Sequence, residues 1–227
     1  MVSHRVSKCY KIKTHCFADY LATNNTIDVT IPTRSVFQAV PLTSVFGWII
    51  IQQNLDNGHD DFLLPWHNYK FGFGSIDADW WLGLENMHLI TSLQPYRLRV
   101  EVQERSTNLW YSAEYWSFKI GDELNDKYRL EVSGYSGDAG DALQHVGDFM
   151  GDLGFGIYLH NGMMFSTYDQ DNDNYANYDC ASSAHYHGGW WFNGCYYACL
   201  TCNFDNHGWR SLPGYFLVTS RMMIKPQ

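Results

Sequence analysis

Three aspartates in the C-terminal third of the chain have the type and the spacing of a metal site. Asp169, Asp171 and Asp173 alternate with polar residues, so a curled loop could bring their carboxylates around one hard cation. Ca²⁺ takes about six to eight oxygen ligands from carboxylates, backbone carbonyls and water. The pattern does not fit an EF-hand, because Asn174 stands where the sharp turn needs glycine and Cys180 stands where that loop ends on glutamate. The alternative is a solvated acidic loop, which any chain of this charge could carry.

Several motifs around these aspartates occur in the order found in one known family. The stretch 160–195 joins the aspartates to two cysteines and a Gly-Gly-Trp-Trp step. The ordered motifs are GWIIIQQNLDNGHDDFLLPWHNYKFGFG at 47–74, DADWWLGLENMHLIT at 77–91, YRLEVSGYSGDAGDAL at 128–143, HNGMMFSTYDQDND at 160–173 and YFLVTSRMMIKP at 215–226. As a set they resemble the fibrinogen C-terminal domain, the module of fibrinogen chains, ficolins and tachylectins. The resemblance covers nearly the whole chain.

This resemblance implies an α+β fold with a central twisted antiparallel sheet, short helices and a loop-rich, calcium-binding C-terminal region. It implies a single domain over residues 1–227. Within it we expect a small N-terminal β subdomain at 1–46, the central sheet at 47–143, and the loop-rich region at 144–227. The final strand is expected to return to the central sheet.

The residue pattern favours the same fold class independently, because turns rich in Gly, Asn and Asp separate short aromatic stretches. The run YRLRVEVQ alternates apolar and polar residues with a period of two, which predicts one buried and one exposed face. The stretch WLGLENMHLIT predicts a short helix with Asp77 or Asp79 as its N-cap. Strands are predicted at 29–31, 48–52, 96–103, 115–120 and 128–132.

Composition and charge exclude several classes of function. A net charge of −9 argues against nucleic-acid binding, which needs clustered Lys and Arg. No run approaches the roughly 18 apolar residues of a membrane span. The N-terminus lacks the apolar core of a signal peptide. We therefore expect either that secretion information lies upstream of this chain or that the chain is an isolated domain. Fibrinogen-like domains cluster through stalk segments, so the resemblance described above implies that this protein oligomerises through segments outside this chain.

Six cysteines favour an oxidising, extracellular compartment. The resemblance implies a disulfide between Cys180 and Cys195, which bracket the Gly-Gly-Trp-Trp step. The family's first bridge would begin at Cys16, but its partner is missing because the segment 37–48 contains no cysteine. A bridge between Cys9 and Cys16 is a possible substitute.

The C-terminal cysteines also allow a rival interpretation. Cys180, Cys195, Cys199 and Cys202, with histidines nearby, could hold a tetrahedral zinc ion. A zinc ribbon usually pairs two CxxC knuckles, whereas this chain has one. The other interpretation is one disulfide plus two additional thiols at Cys199 and Cys202.

For the metal, the resemblance assigns side-chain ligands to Asp171 and Asp173 and backbone carbonyl ligands to Tyr175 and Asn177. Asp169 is expected to be an outer carboxylate that supports the loop. Ca²⁺ is the cofactor that this arrangement implies.

Beside the calcium, ficolins and tachylectins bind acetyl groups in a shallow pocket, where aromatic walls take the methyl group and backbone N–H groups take the carbonyl oxygen. The resemblance places Tyr186 in this pocket, and it places Tyr196 where the family has histidine. Trp209 is expected to add an aromatic contact. Asp205 is expected to match the acid that lets fibrinogen pockets hold a positively charged peptide N-terminus. The alternative for the three aromatic residues is ordinary packing in a loop region.

An enzyme is the competing class of function. Paired carboxylates such as Asp171 and Asp173 can perform acid–base chemistry on glycosides. Two residues committed to one cation are poor proton carriers, however, and the sequence has no GxSxG, HExxH or P-loop motif. We therefore predict a domain without catalysis.

The predicted function is that of a secreted, calcium-stabilised recognition domain. Its leading form is lectin-like binding of an acetylated sugar or glycoprotein ligand in innate recognition. The alternatives are a fibrinogen-like module that binds a protein, peptide or receptor without binding sugar, and a degenerate domain that binds neither.

Overall fold

The strands and helices are placed by a computed structural model, which describes residues 25–33, 36–45, 47–55, 62–144, 159–182, 187–195, 197–203 and 205–227. The strands are β1 (Asn25–Thr33), β2 (Val36–Val45), β3 (Trp48–Asn54), β4 (Phe73–Gly74), β5 (Trp80–Trp81), β6 (Tyr96–Glu104), β7 (Trp110–Ile120), β8 (Leu130–Gly137), β9 (Ala198–Cys199), β10 (Gly208–Trp209) and β11 (Leu217–Pro226). The helices are α1 (Trp66–Phe71), α2 (Leu84–Leu93) and α3 (Glu123–Asp126). None of the helices in these ranges is long and apolar enough to cross a membrane.

One antiparallel sheet forms the centre of the molecule, in the order β1-β2-β3-β11-β6-β7-β8. Strand β5 pairs with β3, and β4 pairs with β5. The last strand of the chain, β11, lies between β3 and β6, so Met222 faces Gln52 on one side and Val100 on the other. This arrangement of a mainly antiparallel sheet with few short helices confirms the predicted α+β class.

Strand β6 shows the predicted period of two, because buried and half-buried residues alternate along its whole length. The strand predicted at 128–132 is displaced, since β8 begins at Leu130. Lys127 and Tyr128 have φ values of 46° and 56°, which place both residues in a left-handed turn after α3. A β-strand needs negative φ values, so the strand cannot include Tyr128.

The predicted N-cap of α2 is wrong. The helix begins at Leu84 after Gly83, which offers no side chain to cap it. Trp80 and Trp81 form β5, so this strand separates Asp77 and Asp79 from the start of the helix. Asp79 accepts a hydrogen bond from the backbone N–H of Leu55 at 2.7 Å. It therefore stabilises the end of β3 rather than the start of a helix.

Aromatic side chains fill the core beneath the sheet and extend it into the C-terminal loops. Trp191 is fully buried, and its ring centroid lies 5.1 Å from that of Phe165 and 6.1 Å from that of Trp81. Its indole N–H donates to the carbonyl oxygen of Tyr128 at 2.8 Å. Large aromatic residues bury about 150–250 Å² each, so a few of them can anchor a region with little regular structure. The loops that carry the candidate site are attached to the sheet in this way.

Candidate metal centre

Three carboxylates meet in the loop after β8. Asp171, Asp173 and Asp179 offer oxygen atoms that all lie within 4.8 Å of one another. The first two were predicted as ligands from the sequence, but Asp179 was not. Asp179 directly precedes Cys180, which is bonded to Cys195 and whose backbone N–H donates to Asp173. An acidic residue beside a predicted bridge was the signal that could have identified it.

Short hydrogen bonds to Asp173 hold the loop in this curled shape. Its Oδ1 accepts from the backbone N–H of Tyr175 at 2.7 Å, and its Oδ2 accepts from that of Cys180 at 2.9 Å. Asp171 Oδ1 accepts from the N–H of Asp173 at 3.1 Å. Asp side chains favour such turns because they bond to backbone groups a few residues on. Asp173 thereby joins the two ends of the acidic loop.

The three carboxylates repel one another in a partly buried environment. Burial raises the pKa of Asp173 to about 6, the hydrogen bonds from Cys180 and Tyr175 oppose that rise, and the nearby charges of Asp171 and Asp179 add to it. Like charges at such separations disfavour full ionisation, whereas a bound cation reverses the effect. A cation bound at this cluster would therefore be stabilised by all three carboxylates.

Asp169 lies outside this group of three. Its Oδ1 accepts from the backbone N–H of Trp66 at 2.8 Å and from the hydroxyl of Thr167 at 2.7 Å. Trp66 is the first residue of α1, and its indole N–H donates to Glu123 at 2.8 Å. Asp169 therefore ties the acidic loop to the start of α1, and its role as an outer carboxylate of a metal site stays a prediction.

The two predicted carbonyl ligands follow Asp173 in the same loop. The carbonyl oxygen of Tyr175 accepts from the N–H of Tyr178 at 2.9 Å, and Asn177 is exposed. A carbonyl oxygen has two lone pairs, so accepting one hydrogen bond does not by itself exclude metal ligation. Tyr175 and Asn177 remain predicted ligands.

Two disulfides tie the region together. Cys180 is bonded to Cys195, the pairing that the resemblance implied, and Cys199 is bonded to Cys202. The Cα atoms of the second pair are 5.4 Å apart, a normal spacing for a disulfide. Zinc ligation by these four cysteines is therefore wrong, because each sulfur is bonded to another sulfur. The interpretation of Cys199 and Cys202 as free thiols is wrong for the same reason.

A buried histidine fixes the chain on both sides of the first bridge. His160 Nδ1–H donates to the carbonyl oxygen of Trp191 at 2.8 Å. Its Nε2 accepts from the N–H groups of Tyr197 at 3.0 Å and Ala198 at 2.9 Å. Only the neutral imidazole with its proton on Nδ1 can make all three bonds. Burial accordingly lowers the pKa of His160 to about 4.

The structure places some of the predicted pocket residues differently. Trp209 is fully buried, and its indole N–H donates to the carbonyl oxygens of Ala139 at 3.0 Å and Gly140 at 3.1 Å. Its assignment as a ligand contact is therefore wrong, because pairing of β10 with β9 turns the side chain into the core. Asp205 is exposed. Tyr186 and Tyr196 lie outside the described residues, as do Cys9 and Cys16.

The antiparallel sheet and its disulfide-tied acidic loop region define the class of a fibrinogen-like globe. A family model for the C-terminal globular domain of fibrinogen beta and gamma chains matches residues 33–223. The chain belongs to this family.

Three similar proteins illustrate the relationship. Fibrinogen-like protein A of Apostichopus parvimensis is 37% identical over 175 residues, which are 74% of this chain and 56% of that protein. The fibrinogen-like globe domain of human ANGPTL2 has a TM-score of 0.77 at 30% identity, covering 96% of this chain and 99% of that one. Lamprey fibrin D-dimer, complexed with the peptide ligand Gly-His-Arg-Pro-amide, has a TM-score of 0.79 at 28% identity, covering 98% and 75%. The chain spans less than two-thirds of the length of the curated relatives it matches.

Acid should weaken the fold through His160. The imidazole has an ordinary pKa of 6.5 when unfolded and about 4 when folded, so the unfolded chain binds more protons between these values. The free energy of unfolding should therefore decrease as the pH falls through this window, by about 3 kcal/mol for this group. Urea titrations at several pH values, in the presence of a chelator, measure this decrease.

His160→Gln isolates the contribution of this histidine, because other groups also titrate in acid. The variant should be less stable at pH 7 by about 1–3 kcal/mol, since an amide cannot keep all three hydrogen bonds. It should also lose less stability on acidification than the wild type. His67→Gln, which changes an exposed histidine, is the control. An acid sensitivity equal to that of the wild type in His160→Gln would contradict the assignment.

The two disulfides should differ in their effect on metal binding. Replacing Cys180 and Cys195 by alanine opens a long loop and should lower the free energy of unfolding by about 3 kcal/mol. Replacing Cys199 and Cys202 opens a short loop and should cost about 2 kcal/mol. Only the first change should weaken the proposed calcium affinity strongly, because the Cys180–Cys195 bond fixes the backbone whose N–H donates to Asp173. Calcium titrations followed by thermal melting test this difference, and an equal loss in both variants would refute it.

Proposed function

We propose that this chain is a calcium-stabilised recognition domain that binds its partner without catalysis. The observation that supports this most directly is the convergence of Asp171, Asp173 and Asp179 within 4.8 Å, beside a disulfide. The donors are all hard oxygens, which suit Ca²⁺ rather than a soft metal ion. Calcium would relieve the repulsion among the carboxylates and order the loop that presents the binding surface.

The proposed ligand set combines side chains with backbone. Asp171, Asp173 and Asp179 would supply carboxylate oxygens, and Tyr175 and Asn177 would supply carbonyl oxygens. Water would complete the coordination sphere, since Ca²⁺ takes about six to eight oxygens. Extracellular calcium modules bind in the range of about 10⁻⁴–10⁻³ M, where the loss of one carboxylate has a large effect.

A protein or peptide is the partner that we favour. Trp209, which a lectin pocket would expose, is buried. A fibrin related in structure was solved with a peptide ligand. Asp205 is exposed and would attract the positively charged N-terminus of a peptide.

Lectin-like binding of an acetylated sugar is the second candidate. The sequence before Gly188-Gly189-Trp190-Trp191 matches the family's pocket pattern at Tyr186, and Tyr196 follows Cys195 directly. In this form the tyrosines would hold the acetyl group of a sugar or glycoprotein. The two candidates differ in the ligand and share the calcium-dependent loop.

We further propose that the domain acts outside the cell. The disulfides Cys180–Cys195 and Cys199–Cys202 are typical of proteins from oxidising compartments. A single site on one domain would bind weakly, so segments beyond this chain would increase avidity by clustering several copies.

Removing a carboxylate should abolish the response to calcium. In the wild type, calcium at about 100 times its dissociation constant should raise the free energy of unfolding by about 2.7 kcal/mol. Asp171→Ala should lose this gain, and Asp179→Asn should require at least a tenfold higher calcium concentration for it. Thermal melting against calcium concentration measures both shifts.

Glu131→Gln is a matched control, because it removes one exposed carboxylate on β8 away from the acidic loop. It should melt like the wild type at every calcium concentration. A calcium response in Asp171→Ala equal to that of the wild type would exclude the proposed centre.

Calorimetry with two probes should separate the two partners. We expect Gly-His-Arg-Pro-amide to bind in calcium and to lose affinity when its amino group is acetylated. Asp205→Asn should raise the dissociation constant of the free-amine peptide about tenfold, the equivalent of about 1.4 kcal/mol. If the peptide does not bind but the chain is retained on N-acetylglucosamine resin and released by EDTA, the lectin-like function is established instead. Binding of neither probe, with the calcium response intact, would reject both candidates and indicate a degenerate pocket.

A further inference from the structure

A groove on the outer face of the central sheet shares no residue with the acidic cluster. Successive residues of β6 point to opposite faces, so Val100 enters the core while Arg99 and Glu101 face outward. The groove has a volume of about 450 Å³, within the range of small-ligand sites. Its lining residues are Arg99, Glu101, Trp110, Tyr111, Ser112, Asp138 and Arg221.

The charges of the lining residues cancel one another. Two guanidinium groups, of Arg99 and Arg221, face two carboxylates, of Glu101 and Asp138. Arg99 Nε donates to Glu101 Oε1 at 2.7 Å, and Arg221 Nε donates to Glu101 Oε2 at 2.6 Å. Arg99 also pairs with Glu114 on β7. The ion pairs fix the side chains in place, and they leave no excess charge in the lining to attract an ion.

The far wall of the groove is equally well fixed. Asp138 Oδ1 accepts from the N–H of Ser112 at 2.7 Å, and the carbonyl oxygen of Ser112 accepts from the N–H of Asp138 at 3.0 Å. Gly137 makes this close approach possible, since its φ is +129° and a Cβ there would lie 2.2 Å from the carbonyl oxygen of Ser112. Polar groups held in position before binding lower the entropic cost of binding a ligand.

Hydrogen-bonding capacity remains at the surface of this groove. Among the described residues, no hydrogen bond engages Asp138 Oδ2 or the hydroxyl of Ser112. Arg221 directs its Nε and one Nη to Glu101, which leaves the other Nη for a ligand. Donors and acceptors are therefore both present within one small concave space.

An exposed indole forms the edge of the same groove. Trp110 is 52% exposed at the start of β7, and no contact between aromatic rings involves it within the described part of the chain. The face of an indole is electron-rich and favours the slightly positive C–H groups of an apolar surface. It therefore offers a flat platform beside a set of fixed polar atoms.

We propose that this groove is a binding site for a neutral mono- or disaccharide. The sugar ring would place its C–H face on Trp110 and direct its hydroxyl groups to Asp138, Ser112 and the free Nη of Arg221. A polyhydroxylated neutral ligand is the class that uses donors and acceptors together and requires no net charge. A phosphate or an acidic peptide would need an excess of positive charge, and a helix would need a longer apolar groove.

This site shares no residue with the metal centre, and it lies on the outer face of the sheet, whereas the C-terminal loops pack on the core face. Sugar binding here should therefore persist in EDTA and in Asp171→Ala. That persistence distinguishes it from the calcium-dependent pocket considered above, whose sugar binding would be lost under both conditions.

The test uses four neutral disaccharides, namely lactose, cellobiose, maltose and N,N′-diacetylchitobiose, added to the whole chain at millimolar concentration in EDTA. We expect at least one to shift the indole N–H resonance of Trp110 in a nitrogen–proton NMR spectrum. Trp110→Ala should weaken the binding of that sugar about tenfold, measured by calorimetry. Trp116→Ala is the matched control, since Trp116 is 60% exposed on the same strand but does not line the groove.

Melting temperatures of the two variants establish that each is folded, and both tryptophans are exposed enough for this to be expected. Binding that is lost in Trp110→Ala, kept in Trp116→Ala and insensitive to EDTA supports the proposal. Binding of none of the four sugars, or binding unaffected by Trp110→Ala, would overturn it. A dimer that dissociates in Trp110→Ala would also overturn it, because the groove would then be occupied by a second copy of the chain.

Discussion

The burial of Trp190 and Trp191 beneath the central sheet is the constraint on which the C-terminal region depends. Trp190 pairs with Ser166 through two backbone hydrogen bonds, at 2.9 and 3.1 Å, and this bridge aligns the segment before the acidic loop with the segment after it. Trp191 packs against Phe165 and is held by His160. The loops have almost no strand pairing of their own, so these large buried rings supply the apolar burial that orders them.

The same packing requires glycine at the two positions before these tryptophans, Gly188 and Gly189. A Cβ at Gly189 would lie 2.7 Å from the ring of Tyr69, and one at Gly188 would lie 2.0 Å from the carbonyl oxygen of Thr201. The N–H of Gly189 donates to the hydroxyl of Tyr69 at 2.8 Å, and its carbonyl oxygen accepts from Thr201 at 2.6 Å. The backbone is thus pressed between α1 and the Cys199–Cys202 loop. The position of Cys195, and through the disulfide that of Cys180 and the acidic loop, follows from this packing.

Local patterns in the sequence predicted what depends on local chemistry. The period of two defined β6, and the alternating aspartates located two of the three clustered carboxylates. Features set by long-range packing were missed: Asp179 joins the other carboxylates because of a disulfide, and Trp209 is buried because β10 pairs with β9. The N-cap of α2 was misplaced because sheet pairing of β5 prevailed over local capping preference. The sequence therefore located the acidic cluster but not its complete set of carboxylates.

The acidic loop and the outer groove have opposite electrostatic characters. The acidic loop brings like charges together, so the proposed cation would stabilise it by offsetting their repulsion. The outer groove is held by opposite charges, those of Arg99, Arg221 and Glu101, and by the tight turn at Gly137. Salt weakens such half-exposed ion pairs only modestly, and chelation has no direct effect on them. If calcium binds the acidic loop as proposed, its removal would loosen that loop and leave the outer groove unchanged, because the ion pairs of the groove share no residue with the acidic cluster.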